Sequence, residues 1–355
     1  MKINILGLTK QKLQEIAVDL GGKAYNGTQI FKWIHRFGID DFLKMTDLSK
    51  NFRTILQEKC EIKAPKIISE HIAKDGTIKW LVEVEGGSNI ETVFIPSPNR
   101  STLCISSQAG CMMNCSFCQT ARQGFNKNLS CSEIVGQVWL ANKKLGFPVT
   151  NVVMMGMGEP LFNFIPVKEA VSIMRDDLAY ALPRKRVTVS TSGVVPGIYS
   201  LAKECDTALA VSLHAPTDEL RNVLVPLNKK YPIAILLEAC RDFLMLSKIS
   251  KVTIEYVMLK DINDSIVQAK QLGKLLQQLP CKINLIPFNY FKGTNYQSSS
   301  MDTIKEFSKV LIKAGFVVTI RVTRGQDIEA ACGQLAGQVN DVTNRSKRYK
   351  ETFYG

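Results

Sequence analysis

From residue 100 to about residue 335 the chain alternates short apolar runs with longer amphipathic stretches, and this alternation constrains the fold more than any other feature. Strands are expected at Leu103 to Ser106, Asn151 to Met155, Arg186 to Thr191, Ala208 to Leu213, Val252 to Val257, Lys282 to Ile286 and Val317 to Val322. Such a pattern gives parallel βα units, either closed into a barrel or left as an open sheet. In parallel βα barrels, ligands and catalytic groups collect at the C-terminal ends of the strands. The motifs obey that rule. A cysteine-rich loop follows the first strand, Met155-Gly156-Met157-Gly158-Glu159-Pro160 follows the second, Ser212-Leu213-His214 closes the fourth, and Asn289 comes just after the sixth.

Upstream, residues 1–64 read as a helical accessory domain. Thr9 can cap a helix ending at Gly21-Gly22, Ile30, Trp33, Ile34 and Phe37 repeat at helical spacing, and a third helix begins at Ser49. The aromatics of this module read as core rather than as a stacking platform for bases. Three strand-like runs follow, Ile67 to Ala73, Ile78 to Val84 and Ile90 to Ile95, with Asp75-Gly76 and Gly86-Gly87 as hairpin signals between them. Pro96 and Pro98 then punctuate the chain. The expected division is therefore 1–64 helical, 65–98 a three-stranded β extension, 99–336 the βα core, and 337–355 a basic tail. In that tail Arg345, Lys347, Arg348 and Lys350 read as a solvated charge run, with phosphate contact as the functional alternative.

Charge narrows the class of partner. Lys and Arg number 45 against 32 Asp and Glu, a net +13 that favours a polyanion, most commonly nucleic acid. The ten cysteines form no paired framework. Met1 to Lys12 lacks a long apolar stretch, and no run reaches the length of a membrane span. A soluble protein of the reducing cytoplasm, with no membrane partner, is expected.

Cys111-Met112-Met113-Asn114-Cys115-Ser116-Phe117-Cys118 carries the chemistry. A cubane iron–sulfur cluster held entirely by protein takes four thiolates, and a structural zinc site also closes with four ligands. The tight group offers three, and no His is near. One iron is thus left open to a small molecule. At the second strand end, Gly158 lets the backbone approach a ligand closely and Glu159 can accept hydrogen bonds from an ammonium group. Taken alone, Cys104 reads as a packed strand thiol, Cys332 in Ala-Ala-Cys-Gly as tight packing, and His214 as a satisfied core histidine. Glu91 lies on a strand with no solvated face, so it needs a partner or a role.

Further runs share one order along the chain: Ile90-Glu91-Thr92-Val93, Leu103-Cys104-Ile105-Ser106-Ser107-Gln108, Phe125-Asn126-Lys127-Asn128-Leu129, Ser190-Thr191-Ser192-Gly193-Val194-Val195-Pro196, Ser212-Leu213-His214-Ala215-Pro216, Tyr256-Val257-Met258-Leu259 and Asp327-Ile328-Glu329-Ala330-Ala331-Cys332-Gly333-Gln334-Leu335. With the cysteine motif they resemble the RlmN/Cfr family of radical S-adenosylmethionine RNA methyltransferases, over nearly the whole chain. The resemblance implies an α/β fold, a partial TIM-like barrel of six βα units with one extra strand here. It implies a [4Fe-4S] cluster on Cys111, Cys115 and Cys118. It also implies S-adenosylmethionine held by Gly158, Glu159, Ser190, Ser212, Leu213, His214 and Asn289.

The implied reaction is methylation of carbon-2 of an adenine in the peptidyl-transferase centre of 23S rRNA, and of the adenine just 3′ of the tRNA anticodon. Carbon-2 has no nucleophilic lone pair, so ordinary displacement on S-adenosylmethionine cannot place a methyl there, and the cofactor must supply radical chemistry. By the same resemblance Cys332 first takes a methyl as a nucleophile. Hydrogen is then abstracted from that methyl, and the resulting carbon adds to adenine. Glu91 removes the proton from the substituted carbon, and Cys104 attacks the Cys332 sulfur to release product as a disulfide forms. A flavodoxin or ferredoxin is implied as electron donor. Two alternatives stay open: the Cfr type, which modifies carbon-8, and a non-catalytic RNA-binding or electron-transfer iron–sulfur protein. Ser192 leans towards the RlmN type, since the Cfr pattern tends to place isoleucine there.

Overall fold

The protein is seen as a computed structural model that describes residues 2–347. Strand β1 (Ile3–Asn4) pairs in parallel with β2 (Cys60–Glu61), and between them lie α1 (Lys10–Asp19), α2 (Ala24–His35) and α3 (Lys50–Lys59). As expected, Thr9 and Ser49 cap α1 and α3, their side chains accepting from Lys12 N and Phe52 N. Phe31, Phe42 and Phe52 are buried, but Tyr25 and Phe37 are exposed, so the module's aromatics divide between core and surface. Phe37 lies beyond the end of α2 and escapes the buried stripe of Ile30 and Ile34. The module docks on the core through α2. His35 is buried with its Nδ1 3.2 Å from the Tyr180 hydroxyl, and the Trp139 indole donates to the Ile34 carbonyl.

Next, β3 (Lys66–Ile72), β4 (Ile78–Glu83) and β5 (Asn89–Ser97) form antiparallel hairpins whose turns fall at Asp75-Gly76 and Gly86-Gly87. Strand β6 (Arg100–Cys104) pairs antiparallel with β5, so the break expected at Pro96 and Pro98 is the turn of another hairpin, and the extension shares one sheet with the core. Pro96 is accommodated because β4 pairs with β5 only as far as Phe94, leaving β5 with a single partner at Pro96.

The core then runs β7 (Gln108–Gly110), α4 (Gln119–Arg122), β8 (Phe125–Asn128), α5 (Cys131–Leu145), β9 (Asn151–Met154), α6 (Phe164–Arg175), β10 (Val187–Thr191), α7 (Val195–Glu204), β11 (Ala208–Ser212), α8 (Asp218–Leu224), α9 (Ile233–Leu246), β12 (Val252–Met258), α10 (Ile266–Leu276), β13 (Cys281–Pro287), α11 (Met301–Lys313) and β14 (Val317–Ile320). Strands β6, β9, β10, β11, β12, β13 and β14 are mutually parallel and lie in chain order. These are the six expected βα units and the extra strand. Among the described residues β14 and β3 are the sheet's two edges, so the barrel is partial. Every residue of the central strand β12 is buried, as a strand covered on both faces requires. None of the described helices is long and apolar enough to cross a membrane.

Beyond β14 the chain returns across the strand ends to the extension. Gln338 bridges Asn89, Val342 N donates to Phe125 O, and Asp341 accepts from the Phe125 and Ser346 amides. Residues 337–346 therefore form a strap packed on the core that includes Arg345, while Lys347 is exposed as a solvated charge would be. Arg348 and Lys350 lie outside the described residues.

Candidate active site

The cysteine loop hangs from the small β7–β8 hairpin and is closed by Cys111 N donating to Gly124 O at 2.7 Å. Gly110 stands at φ 81°, where a side chain would collide with the Gly124 carbonyl. Cys111 and Cys115 are buried and Cys118 is half-buried, against Val257, Leu259, Phe288 and Phe291. Burial, followed by the charge of the neighbouring thiols, pushes Cys111 up and takes Cys115 to about 12. Three thiolates so placed need a cation beside them, and a metal centre provides one. Among the described residues no three Cys, His, Asp or Glu groups converge closely enough to share a single metal ion. A cubane does not ask that, because each thiolate binds a different iron. Three thiols on one loop fit a cubane that takes one thiolate on each of three irons. The Arg345 guanidinium holds the loop from outside, donating to Cys111 O at 2.9 Å and Ala121 O at 3.1 Å.

At the C-terminal ends of the parallel strands a cavity opens beside this loop. Cys118, Gly158, Glu159, Ser190, Ser212, His214, Asn289 and Cys332 all line it. A larger open depression at the start of α10 and α11, lined by Asp261, Asp264, Ser265 and Ser300, contains none of the expected residues.

Each strand end is fixed by polar contacts. Glu159 is buried, which pushes its carboxyl up, while the Ser192 amide (2.7 Å) and the Leu161 amide (3.1 Å) donate to it and oppose the shift. Two of its lone pairs are thus already taken. Gly158 has φ 105°, and a Cβ there would come within 2.5 Å of Gln108 Cβ, so the glycine is required by a chain crossing as well as by the cavity. His214 sits in the left-handed region at φ 60°. Burial, aided by the Arg221 charge, lowers its pKa to about 3, so the ring is neutral. Val257 N donates to its Nδ1 at 3.0 Å, which places the proton on Nε2. Asn289 Nδ2 donates to the Cys332 carbonyl at 3.2 Å.

Leu213, expected in the same set, does not line the cavity. Its side chain is fully buried in the core, its N–H donates to Glu255 O, and its carbonyl accepts from Arg221 Nε. Cys104 and Glu91 are buried and are not among the residues that line the cavity. Cys104 is buried, and burial takes its thiol to about 12. A thiolate at Cys332 pushes the same way, while Arg321 opposes. All ten cysteines are free thiols. Glu91 is buried on β5, 3.0 Å from Lys79 Nζ, and accepts from Ala336 N at 2.8 Å. The acid expected to need a partner has one.

Three cationic residues escaped the sequence reading, Lys79, Arg221 and Arg321, and a fourth, Arg345, was read only as part of the charged tail. Arg221 is fully buried and donates to the Leu213, Ser192 and Ser212 carbonyls and to Asn228 Oδ1, tying the ends of β10 and β11 together. Arg321 lies 3.7 Å from Glu255 Oε2, and the neighbouring Cys332 and Glu255 charges favour its protonated form. A signal was present for Arg221, which shares its helix face with Leu224, where an apolar residue would be expected.

Comparison with known proteins identifies the family. The family model for the ribosomal RNA large subunit methyltransferase N-terminal domain matches residues 3–62, and the radical SAM superfamily model matches residues 105–272. A dual-specificity RNA methyltransferase RlmN from Pseudomonas putida (strain W619) is 53% identical over 98% of this chain and 93% of its own length. One from Marinomonas sp. (strain MWYL1) is 53% identical over 99% of this chain and 97% of its own. Among solved structures, a radical SAM methyltransferase from Sphaerobacter thermophilus is 40% identical with a TM-score of 0.88, covering 94% of this chain and 99% of that one.

Proposed function

The chain belongs to the RlmN family of radical S-adenosylmethionine RNA methyltransferases, and from that premise we propose that it methylates carbon-2 of an adenine in 23S rRNA and of an adenine in tRNA. The observation that carries the reading is the meeting of Cys118 from the cysteine loop, the Gly158, Ser190, Ser212 and Asn289 strand ends, and Cys332 on one cavity, with Cys104 near enough to feel a charge at Cys332. Cys111, Cys115 and Cys118 would hold a four-iron cluster, and the strand-end residues would hold S-adenosylmethionine. When bound, these groups supply reductive cleavage of the sulfonium and with it a hydrogen-abstracting radical.

The chain's own residues do the rest. Cys332, as a thiolate, accepts a methyl and presents it into the cavity, fixed by Asn289 at its carbonyl. His214 stays neutral and holds Nε2–H as a donor. Glu159, oriented by two backbone amides, offers its remaining lone pairs to an ammonium group. Glu91 takes the proton from the substituted carbon, and Cys104 attacks the Cys332 sulfur to free the product. The electron donor is a small redox protein such as a flavodoxin or ferredoxin, and the excess of positive charge suits an RNA partner.

The test is stoichiometry. Per methylated adenine the enzyme consumes one S-adenosylmethionine to S-adenosylhomocysteine and a second to 5′-deoxyadenosine, and peptide mass shows a methyl on Cys332. An active Cys332→Ala enzyme would overturn the reading.

A further inference from the structure

We propose that Lys79 is a positioning residue which, through Glu91, latches the Cys332 loop in its cavity-facing position, and that the proton taken up by Glu91 opens the latch. The inference rests on the reading of Cys332 as methyl carrier and Glu91 as proton acceptor.

Lys79 on β4 pairs in register with Val93, and Glu91 on β5 with Leu81, so the two side chains are diagonal neighbours on one sheet face. Their side chains are only 11% and 8% exposed, with 3.0 Å between Nζ and Oε1. Each partner also holds one flank of the Cys332 loop. Lys79 Nζ donates to the Glu329 carbonyl upstream of Cys332, at 3.2 Å, and Glu91 Oε2 accepts from the Ala336 amide downstream, at 2.8 Å. Within and beside the loop the backbone takes positive φ, 61°, 52°, 84° and 56° at Gly325, Glu329, Gly333 and Gly337. The contacts at its tip, from Asn289 to the Cys332 carbonyl and from Gln119 N to the Gly333 carbonyl, involve neutral groups. Among the described residues the flanks are held by the Lys79–Glu91 pair, while Arg321 faces Cys332 nearer the tip.

A buried ion pair is an indifferent stabiliser of a sheet, since apolar residues of similar volume serve as well or better, whereas loss of one of its charges has a large effect. The switching event is the proton transfer. The carbon–hydrogen bond of the adduct breaks with its electron pair left on the adduct, the proton goes to a Glu91 oxygen, and Lys79 keeps its own protons. Lys79 then faces a neutral acid and no longer holds Glu91, and both flanks of the loop loosen together. The Cys332 sulfur is thereby freed to turn towards Cys104 only after the proton has left the substrate, which sets the order of the last two steps.

Hydrogen exchange read by mass spectrometry on the full-length, cluster-bearing protein tests the latch without RNA or S-adenosylmethionine, so its outcome is separable from that of the stoichiometry experiment. In Glu91→Gln, which stands for the proton-loaded acid, and in Lys79→Met, amides of the peptide spanning residues 329–337 should exchange about tenfold faster than in the wild type. The double variant should add nothing to the larger single effect, because both changes break one interaction. Lys79→Arg should restore slow exchange. Peptides of β12 and α11 should not change. Unaltered exchange over 329–337 in both single variants overturns the latch. So does faster exchange spread over β3, β4 and β5 that Lys79→Arg fails to correct, since that pattern marks Lys79 as a packing residue only.

Discussion

If Cys104 releases the product, the release step should be governed by the ionisation of one buried thiol. The nucleophile in thiol exchange is the thiolate. Cys104 is 6% exposed, and burial is the main reason its pKa is pushed up to about 12. In the conjugate the Cys332 sulfur is a thioether without charge, so burial alone raises the thiol there and the Arg321 guanidinium works against it. A thiol whose pKa stays well above 9 is only a small fraction thiolate throughout pH 7 to 9. Each pH unit in this window therefore multiplies the reactive form about tenfold.

The assay is a single-turnover reaction quenched at intervals, with the protein–RNA conjugate followed as a shifted gel band that ribonuclease collapses. Between pH 7 and pH 9 the first-order decay of that band should accelerate about 100-fold. Arg321→Met should slow the decay at every pH, because it removes the charge that pulls the thiol down. Cys104→Ala should form the conjugate and release none of it. A decay rate that is flat from pH 7 to pH 9, or free methylated RNA from Cys104→Ala, would refute the argument.

Three further outcomes follow from the same geometry. Replacing Cys111, Cys115 or Cys118 with Ala should remove the cluster, leaving a colourless protein; wild-type iron content in all three would exclude them as ligands. Arg345→Met removes the donor shared by the Cys111 and Ala121 carbonyls, a loss of about 1–3 kcal/mol confined to the cysteine loop, and a chelator should strip iron from this variant faster than from the wild type. His35 has its pKa lowered from 6.5 to about 3, first by burial, with Asp176 pulling the other way. Folding therefore excludes its proton: the stability it contributes is complete above pH 6.5 and is lost as the pH falls towards 3, by up to about 1.4 kcal/mol per unit. The urea midpoint should drop between pH 7 and pH 5, and His35→Phe should remove about half of that dependence, since His214 contributes a like share.

Much of the fold was legible because its signals are local. Each parallel strand is a short apolar run bounded by helical periodicity, and Thr9, Ser49, Asp75-Gly76 and Gly86-Gly87 act within a few residues of themselves. The β7–β8 hairpin and the β1–β2 pair were not legible, since strands of two to four residues give no measurable alternation. The boundary expected after residue 98 shows the opposite failure. Proline there is a real punctuation mark, but it marks a turn inside one continuous sheet. Leu213 was within reach of pattern reasoning. Successive side chains of a strand point to opposite faces, so if Ser212 and His214 face the cavity, the residue between them faces away.

The cationic partners show where local reasoning stops. Lys79 stands between Ile78 and Trp80, Arg321 follows Ile320, and Arg221 shares a helix face with Leu224, all in surroundings that call for an apolar side chain. A charge cannot be buried unpaired, so each of these positions already states that a partner exists. What the chain does not state is which partner. For Lys79 it is Glu91 on the adjacent strand and the Glu329 carbonyl about 250 residues away. For Arg345 it is a pair of carbonyls in the cysteine loop, more than 220 residues upstream. These long-range contacts bind the loop of Cys332 and the loop of Cys111, Cys115 and Cys118 to the rest of the molecule. The motifs identify the residues that would react, whereas the control of when and where they meet rests on interactions that only the folded chain creates.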